Sequence, residues 1–193
     1  MDDGVGAILK RLREHRLEED TLVFFLSDNG GPTAELTSSN RPLRGGKGQL
    51  WEGGIRVPFV AQWKGRIPGG QVLHQPVMSL DVLPTALSAA RAGGGSGRSC
   101  DGVDLLPVMT GQNRSAPHET MFWRYSNSVA LRKGEWKLVR QTRPNDQGGE
   151  FELFHLVRDL EERDNLAAGE PAVLAELRTD LERINGEMVS PLW

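Results

Sequence analysis

The sequence predicts an α/β protein that ends in a small α+β subdomain, an antiparallel sheet with one helix. Three observations predict this. An amphipathic stretch runs directly into a short apolar run at Thr21 to Leu26, and a second helical stretch follows at Asp81 to Ala90. Past residue 97, short β-rich runs lead to one long amphipathic segment.

Taken in order, Asp3 to Arg16 reads as a helix with Val5, Ile8, Leu9 and Leu12 on one stripe and Arg11, Arg13 and Glu14 on the other. Asp2 or Asp3 is expected to cap its start. Leu17 to Asp20 turns the chain into the next run, where Leu22, Val23, Phe24, Phe25 and Leu26 show no polar alternation. Such a run suits a strand covered on both faces, the kind that parallel sheets contain. In open α/β sheets ligands gather beyond the carboxyl ends of strands, which places Asp28 and Asn29 at an expected active-site edge.

From Leu73 to Ala92 the α/β pattern resumes. Asp81 stands at a helix N-terminus, and Pro84 falls in the first turn of a helix carrying Val82, Leu83, Ala86, Leu87 and Ala90. Ala92 to Gly97, A-G-G-G-S-G, is a flexible connector and the boundary candidate, giving domains 1–97 and 98–193. Beyond it, Phe122 to Tyr125, Val129 to Leu131 and Phe151 to Leu156 read as strands, with a hairpin turning near Lys133 and Gly134. Pro171 opens a helix with Val173, Leu174, Leu177, Leu181 and Ile184 on one face. His118 and His155 lack metal-ligand company and read as structural, and Arg143 to Gly149 is a polar loop.

Composition narrows the classes of function. With 193 residues, the chain is long enough for one domain or a domain with an annex. Hydrophobic residues make up 38% and charged residues 25%, which is ordinary for a globular chain and argues against disorder. A net charge of -3 without a basic block argues against nucleic acid as a partner. No run approaches the roughly 18 to 20 apolar residues of a membrane span, and Met1-Asp2-Asp3 does not open a signal peptide. The single cysteine, Cys100, has no partner for an internal disulfide.

Two stretches carry chemistry. The D-N-G-G ending the apolar run, Asp28 to Gly31, suits a tight turn, because glycine accepts positive φ and such dipeptides favour turns. It equally offers a carboxylate and an amide carbonyl side by side, the hard oxygen donors that Ca²⁺ or Mg²⁺ takes. Arg41 to Pro58, R-P-L-R-G-G-K-G-Q-L-W-E-G-G-I-R-V-P, carries two glycine pairs together with Arg41, Arg44, Lys47 and Arg56. Its residues suit either an anion pocket or a surface loop with solvated cations. It is not a phosphate-binding P-loop, since glycine is missing at Arg41 and a hydroxyl residue at Gly48.

Together, S-D-N-G-G and G-G-K-G-Q-L-W-E-G-G-I-R-V-P resemble the sulfatase family, of the arylsulfatase and N-acetylgalactosamine-6-sulfatase type, within the alkaline-phosphatase-like superfamily. The likeness continues through Val60 to Trp63, His74 to Ala86 and Asp101 to Gly111. It extends back to Asp3-Gly4-Val5-Gly6 and Ile8-Leu9, and forward to Phe151 to Asn165. The resemblance implies a partial alkaline-phosphatase-like sulfatase fold and the hydrolysis of a sulfate monoester. It also implies that Asp28 and Asn29 are Ca²⁺ ligands completing a site begun by upstream aspartates, and that Lys47 is the lysine contacting the sulfate ester. Arg44, Trp51, Glu52 and Arg56 are expected to be loop scaffolding.

One departure from the family bears on function. The C-x-P-S-R motif, whose cysteine or serine becomes the formylglycine nucleophile, has no match here, and Cys100 sits in an unrelated S-C-D-G-V. The upstream aspartate pair, lysine and histidines are also unmatched. The resemblance therefore implies the C-terminal portion of a sulfatase, inactive alone and needing an N-terminal portion to act on a sulfated small molecule or glycan. Family members are often periplasmic or secreted. A phosphodiesterase or phosphonate hydrolase of the same superfamily, or a non-catalytic remnant or binding module, are the alternative readings.

Overall fold

The computed structural model describes residues 1–33, 37–92, 100–142 and 149–189. The connector at 93–97 and the polar loop at 143–148 lie outside the described residues. By its internal contacts the chain forms two units: Met1–Leu26 with Phe59–His118, and Ser27–Pro58 with Glu119–Trp193.

In the first unit, α1 spans Asp2–Glu14. Its N-cap is Met1 rather than an aspartate, and no side chain caps it. Asp2 and Asp3 fall one step later, in the first turn, where their charge opposes the positive end of the helix dipole while Arg11 and Arg13 complement the other end. The expected apolar stripe is only partly covered, and Ile8 is 63% exposed. A short 3₁₀ turn, Glu18–Asp20, leads to β1, Val23–Leu26. The Trp63 indole N–H donates to the Glu19 carbonyl at 2.7 Å, and Lys64 pairs with Glu18 at 2.8 Å.

The parallel, doubly covered strand expected at Thr21 to Leu26 is not what forms. β1 pairs antiparallel with β2, Phe59–Gln62, in a two-stranded sheet whose register sets Val23 opposite Gln62 and Leu26 opposite Phe59. No residue of β1 is fully buried, and Phe25 is 42% exposed. An apolar run records that a strand wants cover on both faces, but not which segment supplies the neighbouring strand. Phe24 and Phe59 meet edge to face at 5.9 Å between centroids, one of the aromatic geometries that a cross-strand pair favours.

The unit's interior gathers at a 3₁₀ turn, Ser79–Asp81, and α3, Val82–Ala89, which packs with α4, Leu106–Met109. Asp81 is wholly buried and satisfied four ways: the Met78 and Val103 amides donate to its carboxylate, and His118 Nε2 lies 2.9 Å from both oxygens. Thr85 donates to the Asp81 carbonyl at 2.6 Å and accepts the Leu105 amide at 2.9 Å. A buried polar group is tolerated only when bonded in this way. His118 is thus structural, as the sequence suggests.

The second unit contains a four-stranded antiparallel sheet, β3 (Thr120–Tyr125), β4 (Ser128–Lys133), β5 (Trp136–Arg140) and β6 (Glu152–His155), in that spatial order. Lys133 pairs with Trp136 across Gly134 and Glu135, so the hairpin turns where its glycine predicts. Alternation along the strands divides the sheet's faces. Val129, Leu131, Leu138 and Leu153 pack with Leu177 and Leu181 of α5, Pro171–Glu187, the helix opened by Pro171. Ala130, Val139 and Phe154 look the other way and pack with Leu50, Leu156, Trp51 and Ile55. The glycine-rich loop therefore has one face of this sheet as its floor. Among the described residues, no helix is long and apolar enough to cross a membrane.

Candidate functional site

The chain leaves β1 at Leu26 and enters a loop, 27–58, stitched together mainly by backbone bonds. Ser27 Oγ donates to the Asn29 carbonyl at 2.8 Å, and Asn29 Nδ2 donates to the Gly30 carbonyl at 2.9 Å. The Asn29 amide nitrogen is thereby held, while its Oδ1 keeps acceptor capacity. Asp28 is exposed, and among the described residues no hydrogen bond or ion pair engages its carboxylate.

The second stretch closes onto the first. The Gly30 N–H donates to the Gly54 carbonyl at 2.9 Å, and the Lys47 N–H donates to the Gly31 carbonyl at 3.2 Å. Asn40 clamps the two together: its Oδ1 accepts the Gly31 amide at 2.9 Å, and its Nδ2 donates to the Gly31 and Gly45 carbonyls at 3.0 Å each. Approach at Gly30 is so close that a Cβ there would lie 1.7 Å from the Gly53 carbonyl oxygen. Asp28, Asn29 and the main chain of Lys47 are brought into one loop cluster. Lys47 itself is exposed.

The conspicuous string around Trp51 anchors this cluster to the sheet. α2, Glu52–Ile55, begins at Glu52, whose side chain is buried. Arg44 lies over the Trp51 ring at 4.0 Å and donates to Glu152 at 3.2 Å and to the Glu162 carbonyl at 3.0 Å. Trp51 Nε1 donates to the other Glu152 oxygen at 3.2 Å, and the Leu50 amide donates to Gln141 Oε1 at 2.8 Å. Through these contacts Arg44 and Trp51 tie the loop to the sheet, and Arg56 Nη1 stands 3.5 Å from Glu52 Oε2. Asn40 escaped sequence reasoning because its clamp is made nine residues away in the chain and has no periodic signature.

Beneath the loop sits a buried charge cluster. Lys137 of β5 is wholly buried, with Nζ 2.9 Å from Glu52 Oε1 and 2.8 Å from Glu162 Oε1. Glu162 Oε2 accepts the Glu52 amide at 2.6 Å. Burial pushes the Glu162 carboxyl above its ordinary value, against the pull of Lys137 and the Glu52 amide. Burial likewise lowers Arg132, with Glu52 opposing that shift.

As chemistry, the Asp28 carboxylate and Asn29 side-chain carbonyl suit a hard cation, and among the described residues no hydrogen bond engages their oxygens. They are two donors where Ca²⁺ takes about six to eight. Among the described residues, no group of three or more His, Cys, Asp or Glu side chains stands ready to hold a metal.

The sequence profile of the Sulfatase family matches residues 1–92. Human steryl-sulfatase is 40% identical over 155 residues, covering 71% of this chain and 26% of that protein. The N-acetylgalactosamine-6-sulfatase of Canis lupus familiaris is 39% identical over 140 residues, covering 71% of this chain and 27% of that protein. The crystal structure of Ps i-CgsB, 28% identical, superposes with a TM-score of 0.85 over the whole chain and 42% of its own; in complex with k-i-k-neocarrahexaose it gives 27% and 0.85. The architecture is a partial α/β sulfatase fold of the alkaline-phosphatase-like class. The chain belongs to the sulfatase family, and it spans about a quarter of the length of the curated relatives it matches.

Proposed function

We propose that this chain is part of a sulfuric ester hydrolase, to which it contributes Asp28 and Asn29 as Ca²⁺ ligands and Lys47 as the sulfate contact. One observation carries the reading: the bond from the Lys47 amide to the Gly31 carbonyl, which sets the lysine's main chain two residues from Asn29. Bound Ca²⁺ would supply positive charge to sulfate oxygens. Lys47 would add an ammonium, on an exposed side chain, to neutralise charge developing on the ester during hydrolysis. The substrate class is a sulfated small molecule or glycan, supported by the names of the steroid and amino-sugar sulfatase relatives and by the neocarrahexaose complex.

In this reading, residues 1–97 are the C-terminal part of a catalytic α/β domain, and 98–193 are a linker and a small α+β subdomain. The nucleophile and the remaining Ca²⁺ ligands come from sequence outside these 193 residues, so the chain is inactive alone. The absence of C-x-P-S-R supports this, and so do Phe25 and Val60, which sit opposite each other across β1 and β2 and are 42% and 57% exposed. The test is a sulfatase assay of the 193-residue chain alone and after mixing with an N-terminal sulfatase portion bearing C-x-P-S-R. Activity only in the mixture is expected. Turnover by the chain alone overturns its incompleteness, and silence in every mixture favours a non-catalytic binding module.

A further inference from the structure

We propose that Lys137 is a positioning residue for the Asp28 to Lys47 loop, acting through Glu52 and the backbone of α2. Lys137 lies in β5 next to Leu138, and its side chain is wholly buried on the sheet face that floors the loop. Its ammonium meets Glu52 Oε1 at 2.9 Å and Glu162 Oε1 at 2.8 Å, and Glu162 returns to the Glu52 amide at 2.6 Å. Glu52 is thus held at both its carboxylate and its N–H, which fixes the first residue of α2.

From Glu52 the connection runs through two adjacent glycines. The Gly53 N–H donates to the Arg44 carbonyl at 2.7 Å, and the Gly54 carbonyl accepts the Gly30 N–H at 2.9 Å. Gly30 directly follows Asn29, and the Gly31 carbonyl holds the Lys47 amide. The Glu162 carbonyl also accepts Arg44 Nη1 at 3.0 Å, so a second arm of the same cluster reaches the loop at Arg44. Two contacts, Lys137 to Glu52 and Gly30 to Gly54, therefore join a core ammonium through the α2 backbone to the main chain beside the proposed metal ligands. A buried ion cluster is seldom the cheapest way to gain stability, since apolar groups of equal volume often serve as well or better. What it adds is a fixed direction for each partner, which suits a loop that must hold its donors in one geometry.

The functional meaning of this role rests on the assignments of Asp28, Asn29 and Lys47, whereas its test does not. Amide hydrogen exchange is measured on the 193-residue chain and on Lys137→Met and Glu52→Gln. The amides read are Gly30, Lys47 and Gly53, with β3 amides as the reference. The expected result is exchange faster by about tenfold or more at the three loop amides, with the reference changed by less than about twofold. Equal acceleration at both sets overturns the proposal, because the cluster would then serve only general stability. Unchanged loop exchange overturns it as well. Should Lys137→Met not fold, Glu52→Gln, which keeps side-chain volume and removes one carboxylate charge, decides by the same comparison. Loss of sulfatase activity in the mixing experiment would leave these rates untouched, so the two failures are separable.

Discussion

Gly30 and Gly53 meet backbone to backbone, so closely that a Cβ on Gly30 would stand 1.7 Å from the Gly53 carbonyl oxygen. No side-chain rotation relieves such an overlap, because both partners are main chain. Gly30→Ala should therefore push the D-N-G-G turn away from α2, at a cost of about 1–3 kcal/mol or more, the range for overpacking a tight site. Urea unfolding followed by tryptophan fluorescence checks this; a midpoint equal to that of the parent chain would show that the loop accommodates the methyl group.

Metal binding follows from donor count. As the proposed ligands, Asp28 and Asn29 would supply only two of the six to eight or so oxygens Ca²⁺ takes, so the 193-residue chain should bind Ca²⁺ only feebly, in the millimolar range. Calorimetry with CaCl₂ checks it, with Asp28→Ala abolishing what binding there is. Micromolar affinity that survives Asp28→Ala would move the site elsewhere.

These two predictions differ in how far the sequence alone would have led to them. The D-N-G-G stretch stands out in the sequence as a turn with two candidate donors because turn chemistry and ligand chemistry are local. α5 and the hairpin around Gly134 were readable for the same reason, since periodicity and turn residues act over a few positions. The pairing of β1 was not. Its apolar run promised cover on both faces but gave no sign that β2, on the far side of a 32-residue excursion from 27 to 58, would be its antiparallel neighbour. Nor was the link between Glu52 and Lys137 readable, because 85 positions separate them and a single charge carries no mark of its partner.

Lys47 makes a sharper functional test because its side chain is exposed while its amide is engaged. Lys47→Ala leaves that amide in place, so stability should change by no more than about 0.5 kcal/mol. In sulfatase reconstituted with an N-terminal portion, kcat/KM should fall by roughly 10²-fold, the scale for one lost charge-stabilising donor. Unchanged kcat/KM would strip Lys47 of the sulfate contact, and a large stability loss would mean that the side chain has a structural task.

The buried cluster makes a prediction about pH whose sign can be worked out. Two carboxylates share the Lys137 ammonium, and burial raises Glu162 above its ordinary 4.5. Between 4.5 and the higher native value, the folded chain keeps a proton that the unfolded chain has lost. Stability from this group is therefore fully present below the unfolded value, falls as pH rises through that window, and then levels off. Glu162→Gln has no such proton to lose. Its unfolding free energy, measured in urea at several points from pH 4 to pH 7, should rise relative to the parent chain as pH increases. A relative fall over the same range would mean that Lys137 and the Glu52 amide outweigh burial, and that the carboxylate is held below its ordinary value.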